Sequence, residues 1–303
     1  MNEFKEETIM QDKIEIIGTN STIQHGEHNK RIYLIKLDER DVGNITSLLN
    51  VLARERSYSK IFCKVPAWAS PVFNADGFIM EAYIPGFYSG MEGVCFMSKF
   101  LNSDRLLGIE TNALQEFSKI LKTPGNKSNQ VKSETESSAK EASDDQHVAQ
   151  GPEVIILKEE DADEIASVYK KVFKSYPFPI HDPNYIRKSM RENLRYFGVR
   201  HHDGLIALSS ADMDTAAKNA EMTDFATLPE ARGKRTAFYL LRAMEQEMKM
   251  QGIITLYTIA RLNSIPMNKT FLKLGYSYSG TLINNTNIAG SIESMNVLYK
   301  RVN

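Results

Sequence analysis

Cysteine is nearly absent: Cys63 and Cys95 are the only two in 303 residues. That excludes a disulfide framework and a multi-cysteine metal site. An excess of either charge is missing too, with 37 Lys and Arg against 38 Asp and Glu. A near-neutral chain has no general attraction for nucleic acid or for an anionic membrane, so any anion site must be local. No apolar run approaches the length of a membrane span. The opening "MNEFKEETIMQDK" is acidic and polar, unlike a secretory signal,. A cytoplasmic protein is expected. What is present is ordinary for a globular chain, 42% hydrophobic and 25% charged, with room for about two domains.

A stretch with little to bury divides the chain. "KTPGNKSNQVKSETESSAKEASDDQHVAQGP" consists mainly of Ser, Lys, Glu, Asn and Gly and cannot offset its ordering entropy. The reading is therefore residues 1–118, a flexible linker over 119–151, and a second half over 152–303. In that second half, hydrophobic periodicity and turn residues predict the order β-α-α-β-β-β-α-β-α-β-β, a mixed α/β sheet with helices on its faces. The first half echoes it. Phe73, Gly77 and Phe78 match Phe271, Gly275 and Tyr276 in spacing, and Gly77 and Gly275 each precede a methionine, Met97 or Met295, by 20 residues. Two copies of one supersecondary layout are expected.

One loop carries the clearest chemistry. "LPEARGKRTAFYLLRAMEQEM" places Gly233 among Arg232, Lys234 and Arg235, then Thr236 and Ala237 open a helix with Leu240, Leu241, Met244 and Met248 at helical spacing,. A helix start offers unpaired N–H groups and partial positive charge; bare backbone and cations there make a phosphate site. The corresponding stretch of the first half, "LDERDVGN", is acidic, so that copy is expected to lack the grip. "HGEH" with His25 and His28 is read as a solvated loop rather than a metal site, for want of a third ligand.

From strand "EMTDFATL" through "PEARGKRTA", a long helix, a strand and "NKTFLKLGY", residues 152 to 302 resemble the GNAT superfamily of acetyl-CoA-dependent N-acetyltransferases. The family loop reads Gln/Arg-x-x-Gly-x-Gly/Ala; Arg232 and Ala237 fit its ends, while Arg235 stands at its middle glycine. The resemblance implies a GNAT fold in the second half, a truncated GNAT-like first half, and acetyl-CoA as co-substrate with no metal. It places Phe225, Ala226, Thr227, Arg232, Gly233, Lys234, Arg235, Thr236, Ala237, Asn268 and Phe271 at the cofactor. "EAYIPGFYSGMEGVCFMSKF" and "GTLINNTNIAGSIESMNVLYK" resemble the β-lysine N-acetyltransferases. That implies a small diamino acid acceptor, a functional link to a lysine 2,3-aminomutase, and synthesis of the compatible solute Nε-acetyl-β-lysine.

Such chemistry needs a base, because an alkyl amine with a pKa of about 10.4 is protonated at neutral pH. Glu221 is the first choice and Asp224 the second, placed by strand alternation on opposite faces. In the family a backbone N–H near Phe225 to Thr227 polarises the acetyl carbonyl. Phe271 stands where many members have an acidic tyrosine, so either the acid comes from elsewhere, with Tyr276 and Tyr278 as candidates, or the thiolate leaves unassisted. Both cysteines lie in the half without the loop, so direct amine attack is expected rather than an acyl-enzyme. Glu81, Tyr83, Tyr88 and Glu92 in the first half, with Asn284, Asn285 and Glu293 near the end, are the expected substrate contacts in a chamber between the halves. The rival readings are a polyamine or protein-lysine acetyltransferase and a non-catalytic acetyl-CoA-binding module.

Overall fold

The computed structural model describes residues 12–123, 151–202, 204–288 and 290–302. Most of the expected linker, residues 124–150, lies outside them. The chain forms two mixed sheets. The first contains β1 (Lys13–Ile17), β2 (Ser21–Gly26), β3 (Arg31–Lys36), β4 (Lys60–Pro66), β5 (Ile79–Tyr88) and β6 (Glu92–Phe100), in the order β1-β2-β3-β4-β6-β5. Strands β3 and β4 are parallel, because α1 (Ile45–Glu55) crosses between them,. Helix α2 (Ser70–Ala75) leads into β5, and α3 (Ser103–Leu107) and α4 (Thr111–Lys122) follow β6.

The second sheet begins with β7 (Ile155–Leu157), α5 (Ala162–Val172), α6 (Pro183–Glu192), β8 (Leu194–His201), β9 (Gly204–Asp214) and β10 (Asn219–Thr227). Then come α7 (Thr236–Met250), β11 (Thr255–Arg261), α8 (Ile265–Lys273), β12 (Ser277–Ile288) and β13 (Ser291–Arg301), giving the order β12-β13-β11-β10-β9-β8-β7. This is the element order expected from the sequence. Strands β10 and β11 form the parallel pair.

The two sheets share one pairing scheme. β2-β3-β4-β6-β5 repeats as β9-β10-β11-β13-β12 with the same directions. Even the irregularities coincide. Register slips between Met80 and Ala82 and between Ile84 and Tyr88 in β5, and between Tyr278 and Gly280 and between Leu282 and Thr286 in β12. Each position is separated from its counterpart by the spacing that separates Gly77 from Gly275. In the first copy the acidic segment is occupied internally. Asp41 is buried and its carboxylate accepts from the N–H of Thr19 at 2.7 Å and of Ser21 at 3.1 Å, and from the Ser21 hydroxyl at 2.7 Å.

Helix α1 buries Ile45, Leu49 and Ala53 against Ile61, Cys63 and Val65 of β4. Helix α7 does the same with Leu240, Leu241, Met244 and Met248 against Ala220, Met222 and Leu256. Glu247 on the same helix is buried too, ion-paired with Arg195. Helix α4 corrects the expected boundary at residue 119. It continues to Lys122, and Ala113, Phe117 and Ile120 pack into the α7 core of the second half. The apolar stripe of α4 outweighs the polar composition that begins around it.

The halves meet along an apolar seam, Phe62, Ile84 and Phe96 against Tyr257, Leu282 and Val297. Its edge is polar. The Ser279 hydroxyl accepts from Tyr83 N–H at 2.8 Å and donates to the Tyr83 carbonyl at 2.6 Å. Gly280 permits this approach, since a Cβ there would lie 2.0 Å from the Glu81 carbonyl oxygen. Lys60 and Glu81 form a buried ion pair at 2.9 Å, and both bond the main chain of Ile283 on β12. Among the described residues no helix is long and apolar enough to cross a membrane.

Candidate active site

Strands β10 and β11 pair only over Asn219–Glu221 and Thr255–Tyr257. Beyond that point they part. A bulge between Thr223 and Ala226 shifts the register of β10 against β9, and Asp224 takes a left-handed backbone at φ 57°. The gap is a cleft of about 520 Å³ lined by Thr223, Phe225 and Thr227 on one side and Thr258 and Ala260 on the other. Phe271 closes its floor, edge-on to Phe225 at 5.6 Å.

At the end of the cleft the chain turns through Arg232 to Arg235 into α7. Gly233 has φ 80°, and Arg235, just before the helix, has φ 57° and ψ 20°. These left-handed positions fan out the helix-start amides. The N–H groups of residues 233 to 237 have no acceptor among the described residues. Arg232, Lys234 and Arg235 are exposed beside them. Free amides, a helix start and three cations fit a diphosphate. The strain at Arg235 explains why glycine suits this place. Arg235→Gly is expected to raise stability by about 1 kcal/mol in urea unfolding. It should also weaken coenzyme A binding several-fold at low salt, with the loss shrinking as salt is added.

Across Thr223 and Asp224 the cleft adjoins a chamber of about 410 Å³ between the two sheets. The second half contributes Asp212, Glu221, Asp224, Tyr176 and Asn285; the first contributes Gln24, Arg31, Tyr33 and Lys64. Tyr176 and Asp224 line both spaces. Asp224 is saturated: it accepts from the hydroxyls of Tyr176 and, at 2.6 Å, Ser210. Burial pushes its pKa up, while those hydrogen bonds oppose the rise. Glu221 keeps its carboxyl toward the chamber. Burial raises its pKa to about 7; Lys64 pulls it down, and Asp212 and Asp224 push it up. Burial alone would lower the pKa of Lys64, but Tyr33, Glu221, Tyr88 and Asp212 reverse that and hold the ammonium above its ordinary value. Its Nζ lies 3.5 Å from the Tyr257 hydroxyl.

An open phosphate-fitting loop thus leads through an apolar cleft to a carboxyl poised near neutrality. A family model described as acetyltransferase (GNAT) matches residues 163–276. The β-lysine N(6)-acetyltransferase of Methanococcus maripaludis is 40% identical over 291 residues, 96% of this chain and 99% of that protein. The chain belongs to the GNAT acetyltransferases. Two further relatives are 30% identical. They are N-acetyltransferase YodP of Bacillus subtilis, covering 97% of this chain and all of that protein, and the β-lysine N(6)-acetyltransferase of Methanosarcina mazei, covering 84% and 95%.

In this acetyltransferase Phe225, Thr227, Arg232, Ala237 and Phe271 border the cleft, with Gly233, Lys234, Arg235 and Thr236 in the adjoining loop. Ala226 turns into the core under α5. Asn268 does not reach the cleft. Its amide is consumed by the Arg261 and Ser264 carbonyls, both at 2.9 Å, and by Asn296. Tyr276 is also displaced from its expected role. It is buried in the α7 core, edge-on to Phe271 at 4.9 Å, and lines neither space. Glu221 and Asp224, expected on opposite faces, share one chamber because the bulge cancels the alternation between them,.

Of the seven expected substrate contacts, Asn285 lines the chamber. Glu81 is locked to Lys60, Ser98 and Ile283. Glu293 pairs with Arg261 at 2.5 and 2.9 Å. Asn284, at φ 43° in the β12 bulge, bonds the Arg105 and Gly108 carbonyls. Tyr83 is 42% exposed on β5, and Glu92 faces Tyr88 across the β5–β6 hairpin. Tyr88 adjoins Lys64 from behind; burial raises its pKa to about 12. Of these side chains, Glu81 and Asn284 bond across the seam between the halves. His25 lies in β2 rather than a loop, buried between Glu15 at 2.6 Å and Tyr58 at 2.9 Å. Sequence reasoning passed over Gln24, Arg31, Tyr33, Lys64, Tyr176 and Asp212. The available signal was a pair of cations set into each of two otherwise apolar strands, "RIYLIK" and "KIFCKVP".

Proposed function

We propose that the chain transfers the acetyl group of acetyl-CoA to the terminal amine of β-lysine, forming Nε-acetyl-β-lysine. The observation that carries this reading is the Glu221 carboxyl, which lines a chamber that adjoins the cleft across Thr223 and Asp224 and whose pKa burial lifts to about 7. The names of two full-length relatives support the acceptor. At 410 Å³ the chamber suits a small molecule.

Acetyl-CoA supplies the activated acyl group as a thioester. Arg232, Lys234, Arg235 and the amides of residues 233 to 237 hold its diphosphate. Glu221 takes the proton from the acceptor's terminal ammonium, directly or through water, and the free amine attacks the acyl carbon. Main-chain N–H groups about the Asp224 bulge face the gap left by β11 and meet the developing oxyanion. Lys64 stabilises the Glu221 carboxylate and keeps its pKa from rising further. Tyr176, at the junction, is the candidate to protonate the departing sulfur in place of Tyr276. The product carries one positive charge fewer than β-lysine and is a neutral zwitterion, which suits a compatible solute. A lysine 2,3-aminomutase would supply the acceptor in the cytoplasm.

The test follows free coenzyme A in purified protein given acetyl-CoA and β-lysine, α-lysine, spermidine or a lysine peptide. Turnover is expected with β-lysine and at least ~10-fold lower kcat/KM with each other acceptor. Binding of acetyl-CoA without turnover of any of the four would overturn the reading in favour of a regulatory module.

A further inference from the structure

At the end of the chamber where β2 and β3 of the first sheet meet β12 of the second, three side chains are buried yet incompletely bonded. Gln24 is 2% exposed, Arg31 4% and Asn285 1%. Arg31 Nε, Gln24 Oε1 and Asn285 Oδ1 have no hydrogen-bond partner among the described residues. Each residue lines the chamber. Buried polar groups are rarely left unpaired, since each costs about 1–3 kcal/mol.

Local contacts hold this arrangement. Gln24 Nε2 donates to the Pro177 carbonyl at 3.0 Å, which fixes the amide and leaves its oxygen free. Arg31 Nη1 donates to the Asn285 carbonyl at 2.5 Å and to Thr286 Oγ1 at 3.1 Å. The Arg31 guanidinium has no carboxylate in ion-pair range among the described residues. The contrast is Arg105, also buried and also without a carboxylate. Its Nε, Nη1 and Nη2 reach the Asn284, Asn29 and Asn285 carbonyls, and it does not line the chamber. One arginine is a structural tie; the other keeps an N–H in reserve. A buried unpaired guanidinium is costly unless an anion joins it.

We propose that Arg31, Gln24 and Asn285 form an amino-acid headgroup subsite: the Arg31 guanidinium takes the acceptor's carboxylate, and the Gln24 and Asn285 amide oxygens take its neighbouring ammonium. This rests on the acetyl-transfer reading above and adds what selects the acceptor. The acceptor lies with its zwitterion against the first sheet and its terminal amine at Glu221. Tyr33 lies along the path. Arg31 stacks over its ring at 5.5 Å, and its hydroxyl feels both Lys64 and Glu221. Lys64 also lines the chamber, where it feels Glu221 and Asp212 and its Nζ lies by the Tyr257 hydroxyl. A diamine has nothing to offer Arg31, and a lysine within a peptide has neither free group. The subsite therefore selects a free amino acid.

The experiment measures kcat/KM on the full chain with three acceptors. They are β-lysine, α-methylputrescine (β-lysine without its carboxyl group) and ε-aminocaproate (β-lysine without its inner amine). The wild type is expected to prefer β-lysine over each analogue by ~100-fold or more. Arg31→Gln should lower β-lysine kcat/KM by roughly 100-fold, mainly through KM, and leave α-methylputrescine within about threefold. Gln24→Met should cost β-lysine roughly 10-fold and leave ε-aminocaproate unchanged. Equal losses on all acceptors, or a wild type indifferent to the carboxyl group, would overturn the subsite while leaving acetyl transfer intact. No turnover of β-lysine by the wild type would instead remove the acetyl-transfer reading, and the subsite with it. The wild-type comparison decides even if a variant fails to fold.

Discussion

Glu221→Gln is expected to lower kcat by ~100- to 1,000-fold while the folded protein becomes more heat-stable at alkaline pH. Glutamine keeps the shape and removes the proton acceptor. In the wild type, kcat/KM should rise with pH through about 7, because the carboxyl must be ionised to act and its pKa stands there. The variant should lose that limb. The stability effect has a definite sign. Burial raises the folded pKa from 4.5 to about 7, so between those values the folded chain binds more protons than the unfolded chain. Stability from this group is fully present below about 4.5 and is lost as pH rises to about 7. Above that, the wild type holds a desolvated charge that glutamine does not, with a cost on the order of 2 kcal/mol after allowance for solvent in the chamber. Thermal unfolding at about pH 8 should favour the variant by several degrees, and the difference should close at about pH 4. A variant with wild-type turnover would exclude Glu221 as the base.

Lys60→Met is expected to destabilise the whole chain by about 3–5 kcal/mol. Lys60 is fully buried, and burial lowers its pKa to about 8. It reaches Glu81 at 2.9 Å and the Ile283 carbonyl at 2.7 Å, while Glu81 accepts from Ile283 N–H at 2.7 Å. Removing the lysine strands a carboxylate in the seam and frees one side of the β12 main chain. Urea unfolding should show both halves losing stability together, since the same pair ties β5 to β12. Changing Glu81 to Leu in the same protein should restore a large part of the loss, because no buried charge is then unmatched. A loss under about 1 kcal/mol in the single variant would show that solvent reaches this pair.

The element order of the second half was legible because each helix carries its own apolar stripe and each strand its own turn residues. Leu240, Leu241, Met244 and Met248 announce α7 without help from distant residues. The basic turn before α7 was legible for the same reason: its glycine and cations are contiguous. The rest depends on what is remote in sequence. Nothing local marks the bulge that brings Asp224 beside Glu221, although aspartate tolerates a left-handed backbone better than most residues. The chamber wall combines Gln24, Arg31 and Lys64 with residues more than a hundred positions away. Glu81 and Asn284, expected as substrate contacts, are spent on the seam, and Glu293 on Arg261 of the neighbouring strand, because buried polar atoms must find partners. Composition does not mark where α4 ends, at Lys122. The buried face of α4 is visible only once the second core is assembled.

The matched bulges of β5 and β12 describe a pair of like folds joined within one polypeptide. In a homodimer each change to one wall of a shared site is imposed on its mirror image. Here the walls differ, one bearing the basic turn before α7 and the other the internally bonded Asp41. Under the proposed acetyl transfer, acceptor preference would be retuned through β2 and β3 while the donor side stays untouched, and each molecule would carry one reaction centre rather than two.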